Sequence, residues 1–235
     1  MLCWHRYYYQ RVYQVAWYEC NSGVIDLKQD KETRNKLLES AREEFLEKGY
    51  MKASLRTICK NAGLTTGALY FFFKDKDDLF CSLVKDAIEG IRGVMLMHYK
   101  EERQYVENVD MSEEIMDDGS DDLEAAIQAI HQMYQHRDDV LLVLTKSQGS
   151  SMENIFDQFV EESEEHIQTI AKEIQRQRPE IVIDHNYIHW LAHMQIDAFV
   201  YMITHIENEI EGIRYIAQAV TFMIEGWNGM LKKMD

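Results

Sequence analysis

From Lys31 onward the chain places apolar residues at three- and four-residue spacing, the period of a helix with one buried face. Leu37, Leu38, Ala41, Phe45 and Leu46 form the first stripe, and Gly49 after Lys48 stands where a helix end takes glycine. Ser54 is placed to cap a short second helix, LRTICKNA, whose Leu55, Ile58 and Ala62 share a face before Gly63 permits a tight turn. A third helix is expected from about Thr65 to Phe72. Asp75 then caps a long fourth with Leu79, Phe80, Leu83, Val84, Ala87, Ile88 and Ile91 on its apolar side. Two short helices joined by a glycine-containing turn and braced by a longer one describe a helix-turn-helix. Past an acidic stretch between Glu101 and Asp122, helices are expected at about 122–135, 138–147, 151–177, 185–207 and 210–232. Ser120 and Ser151 are the expected caps there, and Pro179 marks a break. No strand pattern and no internal repeat interrupts this. The fold class predicted is all-α, with a three-helix helix-turn-helix unit ahead of a larger helical domain.

Composition changes the picture in two respects. With 46% hydrophobic and 28% charged residues and a single proline, the chain can bury a core and fold. No run approaches the roughly 20 apolar residues of a spanning helix, and the start lacks the apolar core of a secretory signal, so a cytoplasmic protein without membrane contact is expected. Cys3, Cys20, Cys59 and Cys81 form no CxxC pair and read as reduced thiols. The formal net charge of −16 argues against nucleic acid until it is divided along the chain: residues 1–30, 31–80 and 81–235 carry 0, +2 and −18. Acidity belongs to the last two thirds, and the helix-turn-helix segment is mildly basic.

Several motifs in that segment occur in a fixed order: TRxKLLExAxxxFxxKGY in helix one, SLRTIxxxAGL in helix two, GALY in helix three, and FKxKxxLF leading into helix four. Thr33 to Phe80 closely resembles the DNA-binding domain of TetR-family transcriptional regulators. The resemblance covers about a fifth of the chain. It implies a homodimeric repressor that binds a double-stranded DNA operator and is released by a small-molecule effector, without a cofactor. The organisation expected is residues 1–30 as an N-terminal extension, 31–78 as the DNA-binding domain, and 79–235 as a helical ligand-binding and dimerisation domain. Within the extension, residues 1–25 are rich in tyrosine and tryptophan but show no helical period; they read as a loosely ordered segment or an upstream stretch included by a misplaced start, with an extra packed helix as the alternative.

The same residues carry a physical reading. Thr65 or Thr66 opens helix three, where free N–H groups and the helix dipole favour a phosphate. Gly67 keeps the backbone bare for close approach. Ala68 and Phe71 offer apolar contact to a thymine methyl, and Tyr70 a hydroxyl to phosphate. Lys74 and Lys76 are placed to neutralise phosphate charge, Leu69 and Phe73 to enter the core. On helix two, Ser54 and Arg56 complete the expected interface, Arg56 as a bidentate base contact.

Beyond residue 81 the pattern specifies less. Met95, Met97, Tyr99, Met133, Tyr134, Phe156 and Phe159, with His193, are candidates for a pocket lined by thioethers and flat rings. The acidity of this region favours a neutral or cationic effector. Plain core is the alternative for each residue. His185, His189, His193 and Asp197 lie four apart on one helical face, a spacing compatible with a metal; because the third ligand falls two turns from the first, exposed or core histidines are expected and no metal is assigned. The last two helices are unusually apolar, which suits a four-helix bundle across a two-fold axis with Trp190, Phe199, Met202, Phe222 and Trp227 in the interface. An intramolecular core is the alternative there too. Two rival classes stay open: a helical enzyme or metal-dependent sensor built on the acidic domain, and a helix-turn-helix that contacts protein. No nucleophile-base pair and no phosphate-cradling glycine loop supports the enzyme, so none is expected.

Overall fold

A computed structural model describes residues 29–109 and 119–233. The expectation for residues 1–25 lies outside the described residues. All regular structure in the described part is helical: α1 (29–52), α2 (Leu55–Asn61), α3 (Thr66–Phe72), α4 (Lys76–Asn108), α5 (Ser120–Gln135), α6 (Arg137–Lys146), α7 (Ile155–Gln177), α8 (His185–His205) and α9 (Glu209–Lys233).

The caps of the first unit follow from local chemistry. Ser54 accepts the Thr57 N–H and Asp75 the Asp78 N–H, each satisfying a donor that the first helical turn leaves open. The buried carboxylate of Glu44 reaches across from α1 to accept the Ser54 N–H at 3.1 Å, and the Ser40 hydroxyl donates to the Ile58 carbonyl at 2.9 Å, which seats α2 on α1. Gly63 supplies the left-handed turn between α2 and α3, at φ +68°. Leu37, Phe45, Ile58, Leu69, Phe73 and Phe80 close the core between these helices, with Phe45 and Phe80 edge to face at 5.1 Å.

This core does not end at the expected boundary between residues 78 and 79. That point falls inside α4, whose Leu79, Phe80, Leu83 and Val84 pack with α1, and the same cluster takes in Leu142, Val143, Ile155 and Phe159 from α6 and α7. The first unit therefore rests on the larger helical body through shared apolar contacts. The turn between α6 and α7 takes glycine at Gly149 because its φ of +84° is one that other residues rarely adopt; the Met51 thioether at the end of α1 lies against this position.

Two expected caps are corrected. Ser120 is the first residue of α5, and Gly119 holds the cap position at φ +68° without a side-chain bond. Ser151 caps nothing: α7 starts at Ile155 behind Asn154, and the Ser151 N–H donates to Asp77 Oδ1 at 2.9 Å. Pro179 does break the chain, in the irregular segment between α7 and α8.

Candidate functional site: a nucleic-acid interface and a cavity

The helical period divides α3 into two faces. Leu69 is fully buried and Phe73, at its C-cap, is 1% exposed. Thr66, Gly67, Tyr70 and Phe71 face solvent on the other side, Tyr70 at 56% and Phe71 at 74% exposure. Thr65 is the N-cap, its hydroxyl accepting the Ala68 N–H at 3.2 Å. A Cβ at Gly67 would meet nothing closer than Thr65 Oγ1 at 3.7 Å, so packing does not demand glycine there. Arg56 is exposed on the first turn of α2. The aromatic run is thus split: Phe73 joins the core, Phe72 is half-buried against Phe71 and Phe73, and Tyr70 and Phe71 are presented outward.

The two lysines expected to meet phosphate diverge. Lys76 turns back onto the end of α1, donating to the carbonyls of Tyr50 at 2.8 Å and Met51 at 3.4 Å while its ammonium lies 4.5 Å from the Tyr50 ring centre. Lys74 is exposed at the exit of α3, and its backbone N–H donates to Asp78 Oδ2 at 2.8 Å.

Met95, Tyr99, Met133, Phe156 and Phe159 line a half-open cavity of about 260 Å³ between α4, α5, α7, α8 and α9. Three expected pocket residues lie elsewhere. Met97 is exposed, Tyr134 donates its hydroxyl to the Ile206 carbonyl at 2.9 Å, and His193 lines a separate outer groove of α8 and α9. Conversely, Phe199 and Trp227, expected on the dimer face, line the cavity, and Met202 is fully buried beside Ala87, Ile130 and Ile203. Trp190 and Phe222 remain on the outer groove, 51% and 68% exposed.

One wall of the cavity is polar, and sequence reasoning missed it. His98 and Glu102, one turn apart on α4, meet Asp122 on α5: His98 Nε2 lies 3.1 Å from Asp122 Oδ1 and 3.8 Å from Glu102 Oε2. His166 of α7, 4% exposed, brings Nε2 to 2.6 Å from Glu102 Oε2 and leaves Nδ1 buried without a partner. Burial opposes charge on His98, but the carboxylates of Asp122 and Glu102 outweigh it and raise its pKa. The Tyr99 ring stacks on His166 at 4.0 Å, and burial pushes its phenol to about 12. The signal available in the sequence was the four-residue step from His98 to Glu102.

The histidine stripe on α8 is arranged differently. His185 and His189 are exposed and share Glu164, at 3.6 and 2.7 Å, while the His189 and His193 rings stand edge to face at 4.7 Å. Asp197 is exposed on the outer groove. Among the described residues, the group that gathers possible metal-ligand atoms within 4.8 Å of one another is His98, Glu102 and Asp122.

Comparison with known proteins bears on the first unit. Residues 37–83 match the family described as "Bacterial regulatory proteins, tetR family". The chain is 45% identical over 53 residues to the HTH-type transcriptional repressor BepR of Brucella suis, and equally so to the HTH-type transcriptional regulator AcrR of Shigella flexneri. Each alignment covers 23% of this chain and 25% of the relative, so the chain matches about a quarter of their length. In overall fold it is similar to the solved structure of the transcriptional regulator FadR from Bacillus subtilis in complex with stearoyl-CoA, with a TM-score of 0.50 and 16% identity over 81% of this chain and 97% of that one. The helix-turn-helix built around the buried core of α1–α4 is thus the part of the chain that matches the tetR family of bacterial regulatory proteins, over residues 37–83.

Proposed function

We propose that the chain is a transcriptional regulator which binds a double-stranded DNA operator as a homodimer and represses until a small molecule enters the cavity. The observation that carries this reading is the outward face of α3, where a ring as apolar as Phe71 stands 74% exposed beside Thr66, Gly67 and Tyr70 on a helix whose other side is core. Such a face is costly to leave in water and suits the major groove, with Phe71 against a thymine methyl, Tyr70 on phosphate and Arg56 reading a base. Lys74 supplies backbone charge; Thr65, Ala68 and Ser54 shape the helix starts behind them.

Dimerisation is assigned to the outer face of α8 and α9. Trp190, Tyr201 and Phe222 are each at least half exposed around one groove, a cluster of rings typical of a surface that meets a partner. Pairing there would present two α3 helices to half-sites one DNA turn, about 34–36 Å, or a multiple apart. The effector is assigned to the cavity, whose thioether and aromatic lining suits an apolar body and whose carboxylates favour a neutral or cationic polar group. Meeting an operator places the chain in the cytoplasm; among the described residues no helix is long and apolar enough to cross a membrane.

The test is selection of genomic fragments by the purified chain at low salt. Enrichment of a short two-fold symmetric sequence supports the reading. Uniform recovery of all fragments, or of none, contradicts it.

A further inference from the structure

The polar wall of the cavity brings together two carboxylates and two imidazoles from three helices, all at least partly buried. Two carboxylates this close repel unless something positive lies between them. Their partners are nitrogen donors, and one of these, His98, approaches both: 3.1 Å to Asp122 and 3.8 Å to Glu102. Ligands bound to one tetrahedral ion at about 2.0–2.2 Å stand roughly 3.3–3.5 Å apart, so these separations bracket what an ion requires.

We propose that His98, Glu102 and Asp122 hold a divalent transition-metal ion, zinc foremost, at the edge of the cavity. One imidazole and two carboxylates are a ligand set that zinc accepts, and three protein ligands leave a position for water or for an oxygen or nitrogen atom of a cavity ligand. His166 serves as the orienting partner: its Nε2–H donates to Glu102 at 2.6 Å, the arrangement by which outer groups fix a ligating carboxylate. In that tautomer His166 Nδ1 is a bare acceptor, and at 4% exposure it has no partner among the described residues. A buried acceptor of this kind, on a residue that lines the cavity, is matched by a donor on whatever binds beside the ion. The exposed pair His185 and His189 is the competing site, because Glu164 lies within 3.6 Å of both.

The inference shares only the cavity with the regulatory reading, and its test uses no DNA. The full chain, free of any histidine tag and stripped with chelator, is titrated with zinc by calorimetry, and with cobalt(II) while its visible absorption is followed. One ion per chain is expected, with affinity lowered at least about tenfold, the low end for removing a group that supports a metal site, in His98→Ala and in Asp122→Asn. Affinity unchanged in the His185→Ala/His189→Ala variant also supports the proposal. Thermal melting checks that each variant folds; if His98→Ala does not, His98→Gln removes the imidazole while keeping a polar side chain. The proposal is overturned if the wild-type chain takes up neither ion saturably. Binding that survives His98→Gln with Asp122→Asn and disappears in the His185/His189 variant overturns it equally. A chain that binds zinc but no operator would sink the regulatory reading and leave this one standing.

Discussion

Arg42 on α1 grips Asp139 on α6 with two parallel bonds, Nε to Oδ1 and Nη2 to Oδ2, each 2.9 Å long. The pair joins the helix-turn-helix unit to the larger body, beside the apolar packing of Leu142 and Val143 against the same unit. Burial raises the Asp139 pKa and the Arg42 charge works against that rise. Removing the guanidinium leaves a carboxylate that is 6% exposed without its counter-charge. Arg42→Ala is expected to lower stability by about 1–3 kcal/mol, less than for a fully buried pair because Arg42 itself is 40% exposed. Asp139→Asn, which removes the charge along with its need, should cost less. Urea unfolding of the three proteins decides; equal midpoints for Arg42→Ala and wild type would contradict it.

A second tie between the same parts is sensitive to acid. Burial alone would raise the pKa of Asp77, but hydrogen bonds from the Ser151 hydroxyl and N–H and from Tyr50 bring it below the ordinary carboxylate value. A depressed folded-state pKa means stability that is present above the unfolded value of about 3.9 and is lost as pH falls through the folded one. Wild type should therefore be more stable than Asp77→Asn at neutral pH, and the gap should close below about pH 4. Chemical denaturation at several pH values measures it, and a gap that widens on acidification would contradict the assignment.

Lys74 and Lys76 should fail differently. Lys76→Ala strips the cap from α1 and is expected to cost about 0.5–1.5 kcal/mol of stability with little change in the salt dependence of DNA binding. Lys74→Ala should leave the melting temperature unchanged and reduce the slope of log affinity against log salt by about 0.9 for each phosphate no longer neutralised. The reverse pattern would mean that Lys76, and not Lys74, faces the DNA.

How far such placements can be read from sequence depends on the range of the interaction. Ser54, Thr65 and Asp75 were legible as caps because a cap bonds to a backbone N–H two or three residues away. Ser151 has the same local look, yet its N–H belongs to Asp77, 74 positions earlier, and nothing in its neighbourhood announces that. The split of the aromatic run at residues 70–73 followed from the helical period, which assigns Leu69 and Phe73 to one side. On α8 and α9 the period gave no such decision, since apolar residues surround the helices: Phe199 and Trp227 turn to the cavity, Trp190 and Phe222 to the outside. The cluster of His98, Glu102, Asp122 and His166 exists only once α4, α5 and α7 are packed, and one step of it, from His98 to Glu102, was written locally.

The outer face gives a prediction of its own. Phe222 is 68% exposed, so Phe222→Asp should not disturb the fold of one chain, and it places a charge in the proposed interface, where two-fold symmetry would double it. Sedimentation should show monomers where the wild type is dimeric, with weakened operator binding. A dimer of unchanged affinity would put the interface elsewhere.

The central claim, that the outward face of α3 reads DNA, is tested most directly by the double variant Tyr70→Ala/Phe71→Ala. Both rings are more than half exposed, so the variant should melt with the wild type. Fluorescence anisotropy against the selected operator and a scrambled duplex, at two salt concentrations, should show the operator bound at least about tenfold more weakly, a weakening of roughly 1.4 kcal/mol, while the scrambled duplex is affected less. Operator affinity within twofold of wild type, in a variant that melts normally, would contradict the claim.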